Sequence, residues 1–199
     1  GLEYVIYSDV QADPPDTVVL EAVAFAKQEN IDVVLGFGGG SSMDVAKLIA
    51  ILAHPEQHQT LSDLYGVDNA TGPRLALILV PTTAGTGSEV TPISIVTTGE
   101  TTKTGIVAPI LFADIAILDA TFTQNLPAQI TAATGIDAMV HAIEAYTSKH
   151  KKNPYSDMLA KQALRLLNAN LQRVLQNGHD LDARQNMLVG SMPVSYTHL

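Results

Sequence analysis

The chain has no cysteine, and with it go disulfides and thiolate metal sites. Positive charge is scarce: 11 Lys and Arg stand against 20 Asp and Glu, a formal net charge of −9. No basic run offers itself to phosphates in series, so nucleic acid and an anionic membrane surface are excluded as broad partners. Long apolar runs are missing as well. The longest, such as residues 75–80, are far too short to span a bilayer, and no cleavable signal opens the chain. There is no internal repeat and no low-complexity segment. These absences leave a soluble protein of cytoplasmic type as the expectation.

What is present is apolar. The 199 residues are 46% hydrophobic and 16% charged. A globular chain of this size buries about 70% of the surface its unfolded form exposes, in one large domain or two small ones. Residues 4–7 read as a short strand. Over residues 15–30 the apolar positions Val18, Val19, Ala22, Val23 and Ala26 recur at helical spacing. Residues 31–37 form a continuous apolar strand, and 42–53 a helix that stops before Pro55. Residues 75–80 are a second buried strand, with further strands expected at 93–97, 105–107 and 115–118. Helix formers dominate from Pro127, predicting helices over 127–148, 154–176 and 181–189. Continuous apolar strands joined by helices imply a parallel sheet covered on both faces, followed by the start of an all-helical domain. The expected organisation is α/β over residues 1–122 and helical over 123–192. Both ends read as incomplete, the opening strand lacking the units that precede it in a wound sheet.

Two loops follow buried strands. In the first, Gly38, Gly39 and Gly40 precede Ser41 and Ser42 at the start of a helix. Glycines let a ligand approach the backbone, and a capped helix N-terminus favours an anion, with pyrophosphate the natural candidate. An ordinary strand-to-helix turn is the alternative, but three consecutive glycines exceed what a turn needs. The sequence is neither a P-loop nor the dinucleotide fingerprint. The second loop, PTTAGTGSEVTP over 81–92, carries hydroxyls that either bind a phosphate, ribose or amide or bond only their own backbone. Both loops stand at carboxyl ends of sheet strands, where open α/β sheets bind ligands, and together they favour a nucleotide cleft.

The third feature is GIDAMVHAIEAY over 135–146. On a helix it is apolar or small nearly all round and is expected to be buried, except that Asp137, His141 and Glu144 line up at spacings of four and three. Burying such a line needs compensation. Asp137 and His141 can direct a carboxylate oxygen and an imidazole nitrogen at one ion, a pair that Zn²⁺ and Fe²⁺ both accept. A buried Asp–His hydrogen bond is the alternative, since a metal wants at least three ligands. Glu144 reads as a partner to a ligand or as a helix-packing residue rather than as a ligand itself. His54 and His58 read as solvated and Lys151–Lys152 as an exposed turn. Lys103 either neutralises a phosphate or is merely exposed.

GGGSSMD at 38–44, PTTAGTGSE at 81–89 and GIDAMVHAIE at 135–144, in that order, resemble the iron-containing (group III) alcohol dehydrogenase family. The similarity runs from Tyr4 to Ser191. It implies a Rossmann-like NAD(P) domain joined to a helical domain, the dehydroquinate-synthase-like architecture, with Fe²⁺ or Zn²⁺ between them. By that resemblance Gly39, Gly40 and Ser41 hold the pyrophosphate of NAD or NADP. Thr82, Thr83, Thr86 and Thr91 line the nicotinamide side, and Lys103 touches the cofactor. Asp137 and His141 are two of the metal ligands, with no catalytic residue beyond them. The implied substrate is a small alcohol or aldehyde, and the full-length enzyme is expected to be a homo-oligomer. The family's two further His ligands and its first βα unit, with the Asp that helps select NAD over NADP, have no counterpart in this chain. The chain is therefore expected to be inactive alone. Residues 193–199 depart from the family's helix, with Pro193 where it should continue, and read as a non-native tail in which His198 is no ligand. Relatives on the same fold, a polyol-phosphate dehydrogenase or a sugar-phosphate lyase, call for Lys or Arg near the metal. A non-catalytic nucleotide-binding fragment is the reading from a different class.

Overall fold

The computed structural model describes residues 1–149 and 152–196. Lys151, residues 197–199 and with them His198 lie outside the described residues. Two compact units emerge. The first takes Gly1–Phe37, Ser41–Leu79 and Pro92–Ala116; the second takes Gly38–Gly40, Val80–Thr91 and the chain from Ile117 onward.

The first unit is built mainly from α1 (Asp16–Gln28), β1 (Val33–Gly38), α2 (Gly40–Leu52), the single-turn α3 (Leu61–Leu64), β2 (Gly66–Val67), β3 (Ala76–Pro81), β4 (Ile93–Thr98), β5 (Thr102–Val107) and β6 (Ile115–Ala116), with Gly38, Gly40, Val80 and Pro81 at the element ends falling in the second. One sheet has the order β1-β3-β6, with β3 and β6 parallel in the register Ile78↔Ile115. A second, mixed sheet has the order β2-β5-β4: β2 runs parallel to β5, and β4 and β5 form an antiparallel hairpin that sets Thr97 opposite Lys103.

The periodicity of α1 delivers Val19, Ala22, Val23 and Ala26 to the interior. Ala26 joins Val34, Met43, Ala46, Leu77 and Leu79 in one core, while Val19 joins Leu48, Ile51, Val96 and Ile106 in another. Close packing dictates Gly36, because a Cβ there would sit 2.6 Å from Leu79 and 2.7 Å from Ala46. Both helices thus lean on the Val34–Gly36 side of β1. The opposite side, expected to be covered, is open among the described residues: Val33, Leu35 and Phe37 are each about half exposed. Residues 4–7 form no strand either. A strand exists only by pairing, and apolar composition cannot supply a partner; Tyr4 and Ile6 instead lie 81% and 73% exposed.

Arg74 locks the approach to β3. It grips Asp114 with both ends of its guanidinium, at 2.7 and 2.8 Å, and donates to the carbonyls of Leu75, Ile110 and Phe112. Asp114 also accepts the Leu77 N–H at 2.8 Å. Hydrogen bonds from Arg74 and then from the Leu77 amide hold the Asp114 carboxyl down to about 2. A depressed folded-state pKa gives stability that is fully present above the unfolded value near 4 and is lost as pH falls toward about 2. The melting temperature of the chain should therefore fall more steeply between pH 5 and 2.5 than that of Asp114→Asn. Parallel pH profiles would show that this pair carries no acid sensitivity.

The second unit contains α4 (Ala128–Thr147), α5 (Pro154–Gln176) and α6 (Leu181–Tyr196). Asn153 caps α5 by accepting from the amides of Tyr155 and Ser156, with Pro154 opening the first turn. Ala138, Leu167, Val174, Ala183 and Met187 make the core of this bundle. Gly135 lets α5 approach, since a Cβ would meet Leu171 at 2.7 Å. Arg184 is buried and donates to the Thr131 hydroxyl at 3.0 Å and the Gly178 carbonyl at 2.9 Å, tying α6 to the start of α4.

Two expectations change here. The last helix, expected to end at Val189 and to break at Pro193, continues to Tyr196. Pro193 has no N–H to donate back to Val189, a loss that falls in the last turn of the helix. And α4 is not buried all round. Its interior stripe is narrow and made of small residues, Thr131, Gly135, Ala138, Ala142 and Ala145, which lets neighbouring helices come close without enclosing it. Ile136, Val140 and Ile143 stand about half exposed. No helix among the described residues is long and apolar enough to cross a membrane.

Candidate nucleotide and metal site

The two polar loops are joined. At the end of β1 the Gly38 carbonyl accepts the Thr82 N–H at 2.9 Å. A Cβ on Gly39 would lie 3.6 Å from the Thr83 side chain, and one on Gly40 would press into Thr86 at 2.9 Å. The second loop thus stands directly against the glycines that open α2, where free N–H groups and the helix dipole favour an anion.

The second loop then turns over. Gly87 takes the left-handed conformation at φ +59°, leading into a 3-10 turn over Ser88–Val90. The Thr86 hydroxyl accepts the Ser88 N–H at 3.3 Å, and the buried Thr91 donates its hydroxyl to the Ser88 carbonyl at 3.2 Å. Gly85 reaches α4: a Cβ there would stand 2.8 Å from the Thr134 Cβ and 3.1 Å from its carbonyl oxygen. Only glycine fits such an approach.

Thr134 shares a helix face with Asp137 and His141, three and seven residues further on. Nε2 of His141 lies 3.8 Å from Oδ1 of Asp137, and the two side chains are 37% and 49% exposed. That corrects the expectation of a buried polar line: the cost of burying it does not arise, because α4 encloses only its small-residue stripe. An ion bound at about 2.1 Å to both atoms with a tetrahedral angle needs them roughly 3.4 Å apart, a change of a few tenths of an ångström by side-chain rotation. The pair fits a divalent metal as two of its ligands. No group of three or more metal-binding side chains occurs among the described residues.

Ser41 and Lys103 belong to the first unit and come together through a residue the sequence did not single out. Asp13 donates its N–H to Ser41 Oγ at 3.3 Å, and its carboxylate pairs with the Lys103 ammonium. Its backbone is left-handed at φ +52°, a conformation that Asp tolerates better than most residues, and it is held by the Thr97 hydroxyl donating to its carbonyl. An Asp before Pro14–Pro15 carries a turn signal in sequence but nothing that points to Lys103, which lies 90 residues away. Thr134 gave no signal either, being one Thr among several. His54, expected to be solvated, accepts the Glu56 N–H at its ring within its own loop.

Comparisons with known proteins bear on this arrangement. The family model described as iron-containing alcohol dehydrogenase matches residues 1–120, and that of the C-terminal part of the same family matches 131–194. The long-chain-alcohol dehydrogenase 1 of Geobacillus thermodenitrificans is 45% identical over 192 residues, covering 96% of this chain and 48% of the relative. An alcohol dehydrogenase structure from Oenococcus oeni superimposes with a TM-score of 0.92 at 33% identity, over 99% of this chain and 51% of that one. Sulfoacetaldehyde reductase from Bifidobacterium kashiwanohense, solved in complex with NAD+, gives 0.88 at 31% identity, over 98% and 51%. The chain spans about half the length of the curated relatives it matches.

Proposed function

From the premise that this chain belongs to the iron-containing alcohol dehydrogenase family, we propose that it forms the dinucleotide cradle and half the metal site of an enzyme for reversible hydride transfer between an alcohol and NAD(P)⁺. The observation that carries the reading is the placement of the 81–89 loop. Within one unit it lies against Gly39 and Gly40 at Thr83 and Thr86, and against α4 at Gly85. A cofactor on the glycines is thereby set beside the helix face that bears Asp137 and His141.

In this reading Gly39, Gly40 and Ser41 receive the pyrophosphate, and Lys103 adds a positive charge. Thr82, Thr83, Thr86 and Thr91 line the nicotinamide side. Asp137 and His141 hold Fe²⁺ or Zn²⁺. When bound, the metal supplies Lewis acidity and the nicotinamide a hydride acceptor. This chain's own residues fix where those groups sit and give the pyrophosphate N–H donors and a dipole. A sugar-phosphate or polyol-phosphate substrate is disfavoured, because residues 132–147 of α4 include no Lys or Arg to meet its phosphate. A small alcohol or its aldehyde is the substrate class.

The reading is tested by titrating the chain with NADH and following both nicotinamide fluorescence and the melting temperature. Binding should saturate, and the melting temperature should climb with ligand concentration as linkage requires. No fluorescence change and no thermal shift at millimolar NADH or NADPH would sink it.

A further inference from the structure

The outer edge of β4 carries an arrangement that cofactor contact does not explain. β4 ends the order β2-β5-β4, and among the described residues no strand adjoins its free side beyond a single bridge from Thr97 to Pro15. Side chains of α2 take that place. Lys47 donates to the Ile93 carbonyl at 2.7 Å, Asp44 accepts the Ile95 N–H at 3.0 Å, and the Ser94 hydroxyl donates to the Asp44 carbonyl at 3.1 Å. The next outward amide, that of Thr97, is met by the Pro14 carbonyl at 2.9 Å. Positions 93, 95 and 97 alternate along the strand, so these three outward backbone groups are answered one after another, as a neighbouring strand would answer them.

The chemistry chosen for this is expensive. The Lys47 side chain is fully buried, with its ammonium 3.6 Å from an Asp44 carboxylate that is 15% exposed. Buried ion pairs stabilise little against apolar residues of the same size, and fixing one arrangement over others is their better-attested use. A methionine at 47 would fill the space but leave the Ile93 carbonyl unmet. What the pair fixes can be followed outward. Ser41 stands in the first turn of α2; β4 sets Lys103 opposite Thr97; Thr97 holds Asp13, which meets both Ser41 and Lys103.

We propose that Asp44 and Lys47 are positioning residues for the dinucleotide site. By standing in for the missing neighbour of β4 they fasten the β4–β5 hairpin to α2, and so set Lys103 at a defined place relative to Ser41. The proposal rests on the reading that Ser41 and Lys103 bind the cofactor, and it predicts that the pair acts through Lys103.

A double-mutant cycle in the 199-residue chain tests it, with NADH as the probe. Asp44→Asn/Lys47→Met removes both charges together and takes from the Ile93 carbonyl its Lys47 donor. If that variant does not fold, Lys47→Gln, which keeps a shorter neutral donor, takes its place. The clamp variant and Lys103→Ala should each weaken NADH binding about tenfold, and combining them should weaken it little further. Losses that multiply, or unchanged binding in the clamp variant, overturn the proposal. Amide exchange without ligand separates this from the cofactor reading. Protection across residues 41–44 and 102–106 should fall together in the clamp variant, and unchanged hairpin protection overturns the clamp whatever NADH does. A parent chain that binds no NADH would instead overturn the cofactor reading, leaving the exchange result to decide the clamp.

Discussion

Gly39→Val is expected to weaken dinucleotide binding roughly a hundredfold while leaving the fold nearly untouched. In the chain as it stands, a Cβ at position 39 meets nothing closer than the Thr83 side chain at 3.6 Å, an ordinary van der Waals contact. Gly39 is also not among the glycines with positive φ, so no backbone strain opposes a side chain. The two added methyl groups occupy the space that a phosphate must enter to reach the amides at the start of α2. A loss of about 2–3 kcal/mol, roughly a hundredfold in affinity, follows from blocking that approach. Gly40 makes the contrast. A Cβ there would press on Thr86 at 2.9 Å, so Gly40→Ala displaces the second loop and any loss of binding mixes cradle with scaffold. The measurement is an NADH titration of both variants beside their melting curves. If Gly39→Val melts like the parent and binds NADH like the parent, the glycine turn is a turn and no more.

How far the sequence reaches is plain from where the expectations held. Elements whose identity follows from local periodicity were legible: α1 from its spacing of Val19, Ala22, Val23 and Ala26, and β1 and β3 from continuous apolar runs. Pairing was not. The segments at 93–97 and 105–107 read as strands, but only three-dimensional contact makes them a hairpin in a second sheet, and only the absence of a partner leaves residues 4–7 without one. Burial of α4 was misjudged for a related reason. Hydrophobicity tells which residues profit from burial, whereas the small residues at 131, 135, 138, 142 and 145 decide which side neighbours can approach. The two loops were legible as polar turns after strands, because clusters of glycine and threonine sustain neither a helix nor a strand there. Their mutual fit, Thr86 on Gly40 and Thr134 on Gly85, was invisible, since each contact joins residues more than 40 positions apart.

The second large effect concerns metal and turnover. The 199-residue chain is expected to bind Zn²⁺ or Fe²⁺ weakly and to oxidise no alcohol with NAD(P)⁺. Asp137 and His141 offer one oxygen and one nitrogen on a half-exposed helix face, and no group of three or more metal-binding side chains joins them among the described residues. Water must then fill the remaining positions, and an ion so held exchanges readily and is lost to mild chelators. Affinity falls steeply with each protein ligand withheld, so binding in the range of roughly 10–1,000 μM is expected, corresponding to about 4–7 kcal/mol. His141→Ala should erase this binding while moving the melting temperature little, because an exposed Asp–His pair one turn apart stabilises a helix by only about 0.2–0.5 kcal/mol. If the pair were instead purely structural, the same substitution would lower the melting temperature and leave calorimetric Zn²⁺ binding as it was. Two results would end the reading: Zn²⁺ bound more tightly than about 1 μM and unaffected by His141→Ala, which requires another set of ligands, or sustained alcohol oxidation by the chain alone, which two protein ligands cannot support. Adding the C-terminal half of a family member in trans sharpens the test. Binding that tightens with the parent chain but not with His141→Ala locates the metal on α4, at the face Gly85 approaches.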